Sequence, residues 1–393
     1  MAVWGRIAAL TIAAVALTAC STAEDYLQSV NPFRRADVAR VIEGLNSPGP
    51  VAGEGGRLWH VPARGSATAS PPIIVQSKVV VYDGRRVTAY ALGSGQEVWS
   101  ASTHADRGER EVAGGGVVAD DGRIYVATGL RRLLALDTTT GRQVWAQTLP
   151  EPALGSPAVS GGRIVFVAAG GAAYSFSTSD GSEVWRYSGS GGSGARIAQA
   201  NPATASGLVI VPFASGEVVA FDAARGSARW TTTIARDGAG LSLADVIARP
   251  VVASGSVFLG SSAGRLVAVR ERTGQIIWER PIAITQAVAP SGDMVVSLSR
   301  SGEMSALDRS TGAVRWSARL PGTGESSASW YGPTLVGSML WAASDRGQMV
   351  AIDVASGRLG AQRDIGAQAA GPPLAAGGRL IVPTARGGLV ALE

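Results

Sequence analysis

Short apolar runs alternate with clusters of turn-forming residues along most of the chain. Ile164-Val165-Phe166-Val167 and Val218-Val219-Ala220-Phe221 are near-continuous apolar stretches bounded by Gly, Ser and Asp. Their length and β-branched or aromatic content predict strands, and the lack of strict alternation predicts strands covered on both faces. The 52 glycines and 19 prolines supply the tight turns that many short strands require.

These runs repeat. The clearest copy is Ala135-Leu136-Asp137-Thr138-Thr139-Thr140-Gly141-Arg142-Gln143-Val144-Trp145. A tryptophan follows the turn glycine by four residues at Gly95/Trp99, Gly141/Trp145, Gly181/Trp185, Gly226/Trp230, Gly274/Trp278 and Gly312/Trp316, and a seventh copy has Gly357 with Ala361 in the tryptophan position. The mean spacing is roughly 44 residues, the size of one four-stranded propeller blade. Each copy reads as a small or proline-containing strand, two apolar strands and a tryptophan strand.

Residues 371–393 supply three strands of an eighth copy and stop before its tryptophan strand. The missing strand is expected at residues 57–62, with Trp59 falling 40 residues before Trp99. The sequence thus predicts an all-β fold: an eight-bladed β-propeller of four-stranded antiparallel blades over residues 57–393, its ring closed by an N-terminal strand that removes two open sheet edges. Trp59, Trp99, Trp145, Trp185, Trp230, Trp278 and Trp316 are expected to dock against the adjacent blade. Asp137, Asp222, Asp308 and Asp353 should bond turn amides, a role that Ala91, Ser177 and Arg270 cannot fill with a carboxylate.

The N-terminus reads differently. Arg6 and the apolar stretch 7–16 form a secretory signal too short to span a bilayer, so residues 1–19 are set apart from the fold. Leu17-Thr18-Ala19-Cys20 resembles the bacterial lipobox, which implies a lipidated Cys20 as the mature N-terminus and attachment to the membrane through the lipid. With Ser21 and not aspartate after the cysteine, that resemblance implies the outer membrane, facing the periplasm. Residues 20–56, with a turn at Asn31-Pro32, a possible short helix over 36–45 and a Pro/Gly-rich stretch over 47–56, are read as a tether.

Composition narrows the function. Hydrophobic residues are 46% and charged residues 17% of the chain, enough for a large core. The net charge of +5 comes from basic residues spread along the chain, which gives no support for nucleic-acid binding. Lys78, the one lysine, sits in an apolar strand-like run, and His60 and His104 are the only histidines, so neither Schiff-base nor metal chemistry is indicated. The glycine-rich stretch 189–194 lacks the βαβ setting of a phosphate loop, and Asp120-Asp121-Gly122 reads as a turn and not as a calcium loop. No nucleophile elbow or paired-histidine motif occurs, and no cofactor or catalytic residue is assigned.

The repeat resembles the tryptophan-docking repeats of quinoprotein propellers. Together with the lipobox, the eight copies and the compact size, it resembles the BamB family, lipoproteins of the outer-membrane β-barrel assembly machinery. The resemblance implies a non-enzymatic scaffold that binds the periplasmic POTRA domains of the central barrel subunit, with unfolded outer-membrane proteins as further partners. Leu241-Ser242-Leu243-Ala244-Asp245-Val246, followed by Arg249-Pro250-Val251-Val252, is similar to that family's acidic partner-binding loop. The family's second aspartate is Ile247 here, so the match carries over to Asp245 alone, and the family's leucine-arginine patch has a loose counterpart in Arg196 and Ile197. The alternatives are an enzyme of the quinone-dependent dehydrogenase type, whose adjacent cysteines have no counterpart beyond Cys20, and another periplasmic scaffold on the same fold.

The spacing of the tryptophans adds a location. Trp145 to Trp185 is 40 residues, but Trp185 to Trp230 is 45 and Trp230 to Trp278 is 48. The extra residues fall after the tryptophan strand, in linkers between blades that emerge on one face. Loops 186–201 and 231–248 are therefore expected to be neighbours and to form a partner-binding patch of Arg196, Arg236, Leu241, Leu243 and Asp245.

Overall fold

The computed structural model describes residues 51–52, 56–62, 70–104, 114–189, 201–213, 215–234, 248–299, 301–322 and 328–393. Among them, eight antiparallel four-stranded sheets follow one another along the chain, one of them carrying a fifth strand. Blade 3 is representative. Its strands run Ala158–Ser160, Arg163–Val167, Ala172–Ser177 and Glu183–Ser188 from the axis outward, with Val165 opposite Ser175 and Ser175 opposite Trp185. The innermost strands lie side by side around the ring, and Leu374–Ala376 of blade 8 is next to Ile73–Val75 of blade 1, which closes it.

Closure depends on the N-terminal strand, as the repeat arithmetic predicts. Arg57–Val61 pairs antiparallel with Gly388–Leu392, placing Trp59 opposite Ala391, so blade 8 is built from both ends of the propeller sequence. The strand is one residue shorter than the expected 57–62.

Local turn chemistry explains why strands follow in such quick succession. The first hairpin of blade 2 turns through Asp121 and Gly122, with φ of 43° and 71°. Two successive left-handed residues make a type I′ turn, whose twist matches that of the flanking strands. The Asp120-Asp121-Gly122 stretch is thus a hairpin turn between Gly115–Asp120 and Arg123–Thr128.

The core sits between blades. One buried cluster joins Ile210, Ala220 and Trp230 of blade 4 to Val257, Leu259 and Val267 of blade 5. Another joins Trp59 and Leu389 of blade 8 to Val79 and Tyr90 of blade 1. This accounts for the near-continuous apolar runs, since each middle strand is covered by a neighbouring blade on either face.

Two features lie beyond the sequence pattern. The register of each outer strand shifts at the residue before the tryptophan position, for example between Gln143 and Trp145 and between Ala228 and Trp230. This bulge bends the strand and re-aims the following side chain. In addition, Val51–Ala52 pairs in parallel with the outer strand of blade 7, Leu359–Asp364, with Val51 opposite Gln362 and Ala52 opposite Arg363. Two residues of the stretch read as tether therefore belong to a sheet. No helix among the described residues is long and apolar enough to cross a membrane.

Candidate partner-binding face

The tryptophans expected to dock do so in one geometry at seven seams. Each indole lies against the turn glycine of the next blade and donates its Nε1–H to a backbone carbonyl there. Trp59 bonds Leu92, Trp99 bonds Thr138, Trp145 and Trp185 bond Thr178 and Ala223, Trp230 bonds Glu271, Trp278 bonds Arg309 and Trp316 bonds Val354, at 2.7–3.2 Å. The glycine is required on two counts. At Gly141 φ is +70°, and an added Cβ would lie 2.4 Å from the Trp99 ring.

The turn that presents this glycine is braced as the sequence predicts. The Thr139 and Thr140 amides donate to Asp137 Oδ1 at 3.1 and 2.7 Å, and the Ala224 and Ser310 amides donate to Asp222 and Asp308. At Asp353 the Ser356 amide donates, at 2.8 Å. Hydroxyl donation from Ser310, the Arg315 guanidinium at 2.6 Å and the Thr311 amide hold the Asp308 carboxyl well below the usual carboxylate range. Where Ser177 replaces the aspartate, its hydroxyl accepts the Ser179 amide at 3.2 Å. In the Arg270 copy the backbone bond from Gly274 to the Arg270 carbonyl, 2.9 Å, persists without a side-chain acceptor.

These turns occupy one face of the ring, and the linkers between blades leave from the other. In blades 1, 2, 4, 6 and 7 the residue after the outer strand donates to the carbonyl that precedes the third strand of the same blade: Thr103 to Arg85, Leu149 to Arg131, Ile234 to Gly216, Leu320 to Gly302 and Ile365 to Gly347. The two long linkers follow the outer strands Glu183–Ser188 and Ala228–Thr233, before and after blade 4 in the chain. A side chain at Gly189 would collide with Phe213, and Asn201 Oδ1 accepts the Ser156 amide at 2.8 Å. Ile234 and Ala248, at the ends of the second linker, are both buried, and Ala248 donates to Gly260. Arg196, Arg236, Leu241, Leu243 and Asp245, like Ile197, Ile247 and Cys20, lie outside the described residues. Arg249 follows the second linker with surface still exposed, in surroundings that desolvate its guanidinium and lower its pKa.

Lys78 Nζ donates to Gln76 Oε1 at 3.1 Å on the surface, and no group of three His, Cys, Asp or Glu side chains among the described residues is arranged to hold a metal ion. Two features escaped the sequence reading. At two seams the residue two after the tryptophan also reaches across: Gln147 donates to the Asp180 carbonyl and Arg280 to those of Gly312 and Thr311. The bulge residues Leu58, Val98, Val144 and Val184 expose apolar surface on the outer strands of blades 8, 1, 2 and 3. The signal for the first feature is a polar residue two after the docking position, present as Gln147 and Arg280 but replaced by Val61, Ala101 and Ala318 in other copies. The second had none, because bulges follow from register.

Comparison with known proteins agrees with this architecture. The family model for outer membrane protein assembly factor BamB matches residues 83–318 and 316–393. The chain belongs to the BamB family. BamB from Moraxella catarrhalis has the same fold, with a TM-score of 0.68 at 19% identity, covering 85% of this chain and 97% of that one. The fold is wider than BamB. Quinohemoprotein alcohol dehydrogenase from Comamonas testosteroni aligns with a TM-score of 0.65 at 15% identity over 86% of this chain and 75% of the enzyme. A serine/threonine-protein kinase, AfsK from Streptomyces griseus, is 30% identical over an alignment of 165 residues that covers 39% of this BamB-family chain and 20% of the kinase. The chain therefore spans about one fifth of that relative's length.

Proposed function

We propose that the protein is a non-enzymatic scaffold of the outer-membrane β-barrel assembly machinery. In this reading residues 1–19 are removed, a lipidated Cys20 anchors the chain to the outer membrane on its periplasmic side, residues 20–56 serve largely as tether, and residues 57–393 form the binding body. The linker face around blade 4 receives POTRA domains of the central barrel subunit, with Leu241 and Leu243 supplying burial and Arg196, Arg236 and Asp245 setting register. Addition of a strand edge is one available mode of contact. The observation that carries the reading is the BamB-family match, which extends over residues 83–393 of an eight-bladed ring. Capture of the affinity-tagged full chain from envelopes in mild detergent should recover the central barrel subunit in stoichiometric amount. Its absence from such captures overturns the reading.

A further inference from the structure

Seven seams of the ring are closed by an indole, but the seam between blades 7 and 8 has Ala361 in that position, and Ala361 is exposed. The N-terminal segment touches both sides of this same seam. Val51–Ala52 lies on the outer edge of blade 7, and Arg57–Val61 is the outer strand of blade 8. Arg363, opposite Ala52, adds to the substitute closure: its guanidinium lies 5.4 Å from the centroid of the Trp341 ring and donates to the Glu393 carbonyl of blade 8.

We propose that the Val51–Ala52 pairing is a strap that holds blade 8 on blade 7 in place of the missing tryptophan, so that releasing it loosens this seam and no other. Elsewhere the closing side chain is buried in the seam it closes. Here the apolar cluster of Met349 and Ile365 with Val382 and Leu392 still fills the seam and Arg57 donates to the Ile365 carbonyl at 3.3 Å, but in place of the docked indole at the rim there is an edge strand of two residues, at the point where the chain continues toward its N-terminus. A strand this short opens easily compared with one in a sheet interior. Detachment of the N-terminal segment and loosening of the ring are thereby coupled at a single place.

Hydrogen exchange of the full chain tests the coupling. Proline cannot donate to a ladder, so Val51→Pro with Ala52→Pro removes the strap. The variant should exchange about tenfold faster in Leu359–Asp364, Gly388–Leu392 and Arg57–Val61, with Arg132–Asp137 of blade 2 unchanged. Unaltered exchange in those three strands, or equal acceleration in every blade, overturns the proposal. A second variant works from the folded side: Val51→Cys with Gln362→Cys, in a Cys20→Ser background, places one thiol pair across the parallel register. Oxidising it should slow exchange in Gly388–Leu392 and Arg57–Val61 relative to the same protein reduced. Identical exchange in the two redox states also overturns it.

Discussion

The indole of Trp230 lies against Gly274 of the following blade and donates its N–H to the Glu271 carbonyl at 2.7 Å. One side chain thereby supplies both the apolar contact and the polar bond that join blades 4 and 5. Replacing it with alanine should destabilise the fold by about 3–5 kcal/mol, because a cavity opens in a cluster shared by two blades. Trp230→Phe keeps a ring in place and loses the donor, so it should cost less. Urea unfolding monitored by circular dichroism ranks the two, and equal costs would show that the ring itself contributes little.

Glycine substitutions separate backbone strain from collision. Gly274 and Gly255 both have positive φ, +68° and +76°, but a Cβ at Gly274 would meet the Trp230 ring at 2.6 Å while one at Gly255 meets nothing within 4 Å. Gly274→Ala should therefore cost about 1–3 kcal/mol more than Gly255→Ala, the range expected for overpacking. The difference in unfolding free energy between the two variants measures the seam contact directly.

The turn aspartates predict an acid dependence. The Asp308 pKa is depressed in the folded protein by Ser310, Arg315 and Thr311, so its contribution to stability is full above the unfolded carboxylate pKa of about 3.9 and is lost as pH falls through the lower folded value. Asp308→Ala should lower the thermal midpoint at pH 7, and the gap to wild type should shrink as the pH is taken down toward 2. A gap that stays constant with pH would mean that the carboxylate charge is not what braces the turn.

If the proposed interface is right, Asp245→Arg and the double variant Leu241→Ser, Leu243→Ser should each reduce capture of the central barrel subunit at least about tenfold, in line with loss of an interface anchor. All three positions lie in sequence between the buried residues Ile234 and Ala248, and the variants should leave the circular dichroism spectrum and melting unchanged. Folded variants that capture the subunit as wild type does would move the binding surface elsewhere on the ring.

The enzyme alternative has its own test. Incubation of the purified chain with pyrroloquinoline quinone and calcium should give no stoichiometric quinone absorbance after gel filtration and no alcohol-dependent dye reduction. Dye reduction that tracks the bound quinone would reassign the protein to the dehydrogenases that share its fold.

How much was legible in the sequence depended on whether a feature repeats. The tryptophan docks, the braced turns and the closing strand at Trp59 were readable because seven of the eight seams use the same docking residue and most turns the same bracing residue at recurring positions. The pairing of Val51–Ala52 was not, since two residues carry no periodicity and the surrounding Pro/Gly-rich stretch reads as a tether. Ser177 leaves its turn without a carboxylate, as the sequence shows, yet its hydroxyl does part of what a carboxylate does, a role visible only once Ser179 is placed. The linker residues Arg196 and Asp245 were nominated by spacing and resemblance, because a contact surface leaves no periodic trace in a single chain.

The direction of the closing strand has a consequence for orientation. Arg57–Val61 starts beside the braced turns, where the Glu393 amide donates to the Gly56 carbonyl, and runs toward the linker face. Val51–Ala52 runs the same way, parallel to an outer strand that also begins at those turns. Both N-terminal strands therefore run from the turn side toward the linker side of the rim. If Cys20 carries the proposed anchor, the residues from there to Val51 span at most about 110 Å. Tension applied to Val51 from such an anchor, pulling against the direction of both strands, would turn the disc so that its linker loops point away from the lipid, toward whatever approaches from the periplasm.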